Sequence, residues 1–260
     1  MVYRGGVSGF LAADNEALEE RVSLGTRGAT SLCYRVRIDG KEYFMKQLRP
    51  ELRSDRRYRS VYRKEYEVGS GICSRYIVRY EALGENADGP YLLMEHVNGC
   101  TLDEKLTTEP EYFSHGRNFE KLLVQLLRGL KALHEAHVAY LDLKPENVML
   151  TQVNNDAKII DLGFCLADGY SYTAGCSHEY AAPELQEGAL EMVDARTDIY
   201  AVGRLMQYVK EAACVEMNRH LQRIIDRCTQ PDKRKRYADV DEVLGALVGK
   251  GLWMAWWRRP

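Results

Sequence analysis

A chain of 260 residues, 45% apolar and 28% charged, has the composition of an ordinary globule and room for one large domain or two small lobes. A net charge of −2 gives no ground for nucleic acid as a partner. Seven cysteines, an odd number with no Cys-x-x-Cys spacing, argue against a disulfide framework or a zinc site and fit a reducing, cytoplasmic setting. No apolar run near the N-terminus has the length of a signal peptide, and no segment is long enough to span a bilayer.

Residues 1–20 read as a leader without strong pattern. From 21 to about 48 the pattern is that of strands. Tyr34, Val36 and Ile38 alternate with Arg35 and Arg37, Asp39-Gly40 makes a two-residue hairpin turn, and Tyr43-Phe44-Met45 returns. Residues 54–68 form a charged helix within a basic run that includes Arg49, Arg53, Arg56, Arg57, Arg59, Arg63 and Lys64. Such a run is more often a solvated helix face than a docking surface for phosphate or an acidic partner. Two further strands are predicted over Ile77–Leu83 and Tyr91–Val97, joined by a turn over 86–90. Beyond Gly99 helices dominate: Leu122, Leu123, Leu126, Leu127, Leu130 and Leu133 recur at helical spacing, and 198–210 and 220–228 repeat the theme. A strand-rich front and helix-rich back give two lobes, 21–97 and 98–250, with a hinge near 95–99 and a tail over 251–260.

The chemistry-bearing residues cluster in 140–163. Asp142, Lys144 and Asn147 stand in one Asp-x-Lys-x-x-Asn run, and Asp161 follows the apolar pair Ile159-Ile160. Phosphoryl transfer from a metal-bound nucleotide needs this set: a carboxylate to orient the attacking hydroxyl, an ammonium for the transferred phosphate, and an amide and second carboxylate for Mg²⁺. Upstream, Lys46 ends an apolar strand and Glu65 lies on the charged helix. A lysine in that position is, taken alone, usually a snorkelling surface residue. Leu24-Gly25 and Gly28 sit before Lys46 in what is by itself a plain β-turn.

Together these segments resemble a eukaryotic-type (Hanks-type) serine/threonine protein kinase over roughly residues 22–248, with a compactness that looks bacterial. Further matches are Asp161-Leu162-Gly163 to the metal loop, Ala182-Pro183-Glu184 to the end of the activation loop, and Asp198 through Gly203 to the helix anchoring the catalytic loop. The resemblance implies an α+β, bilobal fold: a small antiparallel N-lobe sheet with one helix, and a mainly helical C-lobe. It implies ATP and Mg as cofactors and a protein substrate with Ser/Thr hydroxyls. By position it assigns Asp142, Lys144, Lys46 and Glu65 to catalysis, and Asn147 and Asp161 to the metal. Leu24, Gly25, Leu32, Lys46, Met94, Glu95, Val97 and Met149 would line the nucleotide, with Met94 as gatekeeper. Arg236 would pair with Glu184, Arg234 being the alternative.

The chain also departs from that family. Arg27 and Thr30 replace two phosphate-loop glycines, and Phe44 stands where a small alanine is usual above the adenine. Tyr140-Leu141 replaces His-Arg, so phosphates at Ser171, Tyr172 or Thr173 would find no arginine at 141, which implies constitutive or partner-controlled activity. The position four after Glu65 is Gly69 and the metal-loop aromatic is Leu162, leaving a gap that Tyr140 is expected to fill. The stretch between Asp198 and the helix at Arg223 is too short for the usual exposed docking helix. All three tryptophans, Trp253, Trp256 and Trp257, share one helical face of the tail, which would cover a back-lobe patch or meet the inner membrane face with its arginines on headgroups. The rival functions are a pseudokinase scaffold, favoured by Arg27, Thr30 and Phe44, and a small-molecule phosphotransferase, disfavoured by Lys144 and the Ala-Pro-Glu segment.

Overall fold

The computed structural model describes residues 18–27, 30–170, 178–215 and 219–248. Its chain divides into two compact units, one holding residues up to Asn98 with Asp161–Gly163, the other holding Gly99–Ile160 and the chain from Phe164 onward.

The first unit is built on a five-stranded antiparallel sheet in the order β1-β2-β3-β5-β4. Strand β1 (Leu18–Arg27) begins opposite Ile38, earlier than the alternation predicts, because Leu18 joins the apolar cluster of Val36, Ile38, Tyr43, Met45, Ala82 and Leu93. Strands β2 (Ser31–Ile38) and β3 (Lys41–Leu48) meet at Asp39-Gly40. Both turn residues have positive φ, 49° and 72°, as the twist-matched two-residue hairpin requires. The period-2 alternation of β3 sends Tyr43 and Met45 into the cluster and Phe44 and Lys46 to the opposite face. Helix α1 (Arg56–Ser70) starts at Asp55, whose side chain accepts from the Arg57 N–H, and buries Tyr62, Glu65, Val68 and Gly69.

Helix α1 packs on β4 (Tyr80–Asn86) and β5 (Gly89–Glu95). The strand predicted from Ile77 starts only at Tyr80, because the Ile77 N–H closes a turn onto the Ser74 carbonyl. The turn between these strands is likewise tighter than 86–90. Asn86 pairs with Gly89, and the Asn86 side chain accepts from the Asp88 N–H.

The second unit is mainly helical. Strand β6 (Gly99–Thr101) leads into α2 (Leu102–Thr108) through a capping box between Thr101 and Glu104. After the short α3 (Glu111–Ser114) comes α4 (Gly116–Glu135), whose six leucines at the predicted spacing are each 3% exposed or less. Each contributes roughly 1.5–3 kcal/mol of burial, so this helix is the axis of the unit's core. Strand β7 (Val138–Ala139) pairs with β10 (Leu166–Ala167), and β6 pairs with β8 (Val148–Thr151), which pairs with β9 (Ala157–Ile159). A Cβ at Gly99 would lie 1.9 Å from the Leu150 carbonyl oxygen, so only glycine lets β6 reach β8.

Helices α5 (Pro183–Gln186), α6 (Ala195–Ala212), α7 (Arg219–Cys228) and α8 (Val240–Val248) complete the unit. Helix α6 ends at Ala212 and α7 begins at Arg219, and residues 216–218 of the link, where the sequence predicts that the docking helix is missing, lie outside the described residues. Among the described residues, no helix is long and apolar enough to cross a membrane. Among the described residues, Cys33, Cys73, Cys100, Cys165, Cys214 and Cys228 are thiols rather than disulfides. Residues 171–177, with the activation-loop hydroxyls, and the tryptophan tail lie outside the described residues.

Candidate active site

In the first unit, β3 and α1 bring Lys46 and Glu65 together as an ion pair. The ammonium donates to Glu65 Oε1 at 3.1 Å and Oε2 at 2.9 Å, and to Asp161 Oδ1 at 2.9 Å. Burial alone would strip the proton from Lys46, but the Asp161 and Glu65 carboxylates outweigh it and hold its pKa above the ordinary lysine range. Burial lifts the fully buried Glu65 above the usual carboxylate range, against the pull of Lys46. Tyr62, its ring 5.9 Å from the Lys46 ammonium, is hydrogen-bonded to Ser31 Oγ at 2.8 Å and is itself kept protonated by burial. Asp161 sits at φ 64°, with Oδ1 also accepting from the Gly163 N–H at 3.0 Å. A Cβ at residue 163 would crowd Asp161 Oδ1 at 3.1 Å and Glu65 Oε2 at 3.2 Å, which explains the glycine after Asp161-Leu162.

The room beside Gly69, assigned from sequence to Tyr140, is occupied by Tyr80. A Cβ at residue 69 would lie 2.2 Å from the Tyr80 ring. The Tyr80 hydroxyl donates to Glu65 Oε1 at 3.0 Å and accepts from the Leu162 N–H at 3.2 Å. Sequence reasoning missed this residue. Its signal was a tyrosine inside the strand predicted over Ile77–Leu83, together with a glycine one turn beyond Glu65.

The residues predicted to line a nucleotide occupy varied positions on the sheet. Gly25 has φ 83° at a bulge between Ser23 and Thr26, its N–H bonded to Ser23 Oγ, and Leu24 is exposed. Gly28 lies outside the described residues. Met94 is buried in β5 opposite Phe44, and Glu95 exchanges bonds with the Arg79 backbone. Val97, just past the strand, is half-buried. The register of β2 on β3 is unbroken, so Phe44 stays on the face of Lys46 with no local shift. That register also puts Leu32 opposite Gln47 on the other face, and Cys33, 1% exposed, beside Lys46. Cys33, with Ser31 and Arg35, therefore shares the lysine's face, and Leu32 does not.

The second unit holds the remaining polar residues in one hydrogen-bonded loop. Lys144 Nζ donates to Asp142 at 2.9–3.1 Å, and Asn147 Nδ2 donates to the Asp142 carbonyl at 2.9 Å and to its Oδ2 at 2.7 Å. The Asn147 carbonyl in turn accepts from the Ile160 N–H at 2.9 Å. Met149, on β8, pairs with Thr101 and Lys158. From α6 the fully buried Asp198 accepts from the Tyr140 N–H at 2.9 Å, the Leu141 N–H at 2.8 Å and His134 Nε2 at 2.7 Å. These bonds hold Leu141 at φ 67°, a left-handed conformation a leucine rarely adopts. Tyr140 is fully buried, and its hydroxyl donates to the Ile160 carbonyl at 2.6 Å.

Arg236, not Arg234, partners Glu184. Its guanidinium makes a fork to both carboxylate oxygens at 2.7 and 2.9 Å, and Thr197 Oγ1 donates to the same carboxylate. Burial would raise the Glu184 pKa, but the Arg236 fork holds it below the ordinary range. Arg234 instead pairs with Asp232 at the surface.

A strand lysine locked by a helix glutamate and an aspartate, with an Asp-x-Lys-x-x-Asn loop anchored by a buried aspartate, is the arrangement of the protein-kinase class. The sequence matches the protein kinase domain over residues 18–242, and the chain belongs to that family. Similar curated proteins include bacterial serine/threonine-protein kinases. A probable serine/threonine-protein kinase of Streptomyces coelicolor is 33% identical over 64% of this chain and 26% of its own. The probable kinase PknB of Corynebacterium glutamicum is 30% identical over 76% of this chain and 31% of its own. PknB of Mycolicibacterium smegmatis is 27% identical over 92% and 40%. The chain thus spans well under half the length of these curated relatives.

Proposed function

We propose that this chain transfers the γ-phosphate of ATP to serine or threonine hydroxyls of a protein, with Mg²⁺. The observation that carries the reading is the intact Asp142–Lys144–Asn147 network, since a scaffold that only holds nucleotide has no need of it. In this reading Asp142, held by Lys144 and Asn147, orients the attacking hydroxyl and takes its proton. Lys144 supplies positive charge to the transferred group, and Lys46, fixed by Glu65, steadies the other phosphates.

Asn147 and Asp161 fit a hard divalent cation by donor chemistry. The Asn147 amide nitrogen is committed to Asp142, so its oxygen end is the one offered to a metal. Asp161 brings a carboxylate oriented by Lys46 and Gly163. When bound, Mg²⁺ neutralises charge on the phosphates.

Leucine at 141 supports activity that does not depend on activation-loop phosphate. Cytoplasmic placement belongs to the same proposal, with the tryptophan tail either covering a back-lobe patch or meeting a membrane face; co-sedimentation with anionic vesicles, lost on removing 251–260, would select the membrane, and its absence the patch. The function itself is tested with labelled ATP, Mg²⁺ and a generic basic protein substrate, followed by phosphoamino-acid analysis. Phosphoserine or phosphothreonine is expected. Nucleotide binding without transfer would favour the scaffold, and label on small molecules alone would favour the other phosphotransferase.

A further inference from the structure

We propose that Tyr80 is a positioning residue for the ion pair: its ring takes the room left at Gly69, and its hydroxyl ties Glu65 to the backbone of Leu162. The two halves of this statement rest on different atoms. A Cβ at residue 69 would meet Tyr80 Cδ2 at 2.2 Å, Cε2 at 2.4 Å and Cγ at 2.7 Å, so the glycine and the ring are one packing solution. A larger side chain at 69 and a tyrosine at 80 exclude each other.

The hydroxyl, by contrast, does what an apolar residue at 80 could not. It accepts from the Leu162 N–H and donates to Glu65 Oε1, which is a polarised chain of two bonds in a buried place. Leu162 follows Asp161 directly, and Glu65 holds Lys46, which holds Asp161. One phenol therefore closes a ring of contacts through Glu65, Lys46, Asp161 and Leu162. Burial keeps Tyr80 protonated, so the donor is always present. The ring fixes where α1 stands against β4, and the hydroxyl fixes where the Asp161 segment stands against α1.

The proposal rests on the kinase reading only for its activity arm. Tyr80→Phe keeps the ring and removes the tie. Exchange of the Leu162 amide, followed by hydrogen-exchange mass spectrometry, should speed by tenfold or more. The kcat should fall about tenfold, the size of one charge-assisted hydrogen bond, while the KM for the protein substrate stays within about twofold.

The exchange Gly69→Leu with Tyr80→Leu separates packing from positioning. It should regain most of the melting temperature lost by Tyr80→Leu alone, yet keep the tenfold loss of kcat. Parental exchange at Leu162 in Tyr80→Phe would overturn the proposal, as would full recovery of kcat in the double variant. Should the parent transfer no phosphate while Leu162 protection still depends on the hydroxyl, the kinase reading fails and the tie stands. Should Tyr80→Phe not fold, the double variant decides through its melting temperature and kcat.

Discussion

Replacing Asp198 by alanine should unfasten the loop that carries Asp142. The carboxylate is fully buried and receives the Tyr140 and Leu141 N–H groups at 2.9 and 2.8 Å. Its loss strands two buried donors, each costing about 1–3 kcal/mol. It also leaves Leu141 at φ 67° with nothing to enforce that conformation, whose strain is about 1–3 kcal/mol. The loop should respond by relaxing, which relieves the strain but moves Asp142. The net destabilisation is therefore set by the donors, about 2–6 kcal/mol. Asp198→Asn keeps one acceptor oxygen and should lose about half as much. Urea unfolding followed by far-ultraviolet circular dichroism measures both variants. Alanine and asparagine variants that lie together within about 0.5 kcal/mol of the parent would refute the reasoning, because a surface aspartate behaves that way.

Other consequences follow from neighbouring contacts. Arg236→Ala leaves the Glu184 carboxylate buried without its fork and should cost about 3–5 kcal/mol in urea, with Arg236→Lys a poor rescue. Glu184 is held below the ordinary carboxylate range, so its stabilisation is present above the unfolded pKa and lost as pH falls through the depressed one. The stability gap between parent and Glu184→Gln should accordingly shrink on acidification, and a gap constant with pH would contradict the assignment. Tyr140→Phe removes a buried bond to the Ile160 carbonyl and should cost about 1–3 kcal/mol, with Tyr140→Ala at about 3–5 kcal/mol. An unchanged melting temperature in the alanine variant would count against that burial. Glutamate at Ser171, Tyr172 or Thr173 should leave activity nearly unchanged, given leucine at 141, and a tenfold rise would defeat the regulatory reading.

The strands, the helices and the identity of the polar residues were legible because their signals are local. Alternation marked β2 and β3, and leucine spacing marked α4. The Lys46–Glu65 contact followed from spacing typical of a known family. What was missed depends on register and on packing between elements. Register is one case: the Asp39-Gly40 turn sets Ile38 opposite Lys41, and counting back puts Cys33 opposite Lys46 and Leu32 opposite Gln47. Tyr80 escaped because its meaning lies in the approach of α1 to β4, which no one-dimensional pattern records. The choice of Arg236 over Arg234 turned on burial: one fork is enclosed, and the other sits in water beside Asp232.

The central claim, that this chain moves phosphate with Asp142 as the orienting carboxylate, is tested most directly by single-turnover transfer. Parent and Asp142→Asn would be compared on the same basic substrate with labelled ATP and Mg²⁺, beside Lys46→Met. General-base catalysis is typically worth about 10²–10⁴-fold, so Asp142→Asn should bind ATP like the parent and lose transfer by at least a hundredfold. Label that persists undiminished in Asp142→Asn, or that never appears with the parent, would contradict the account.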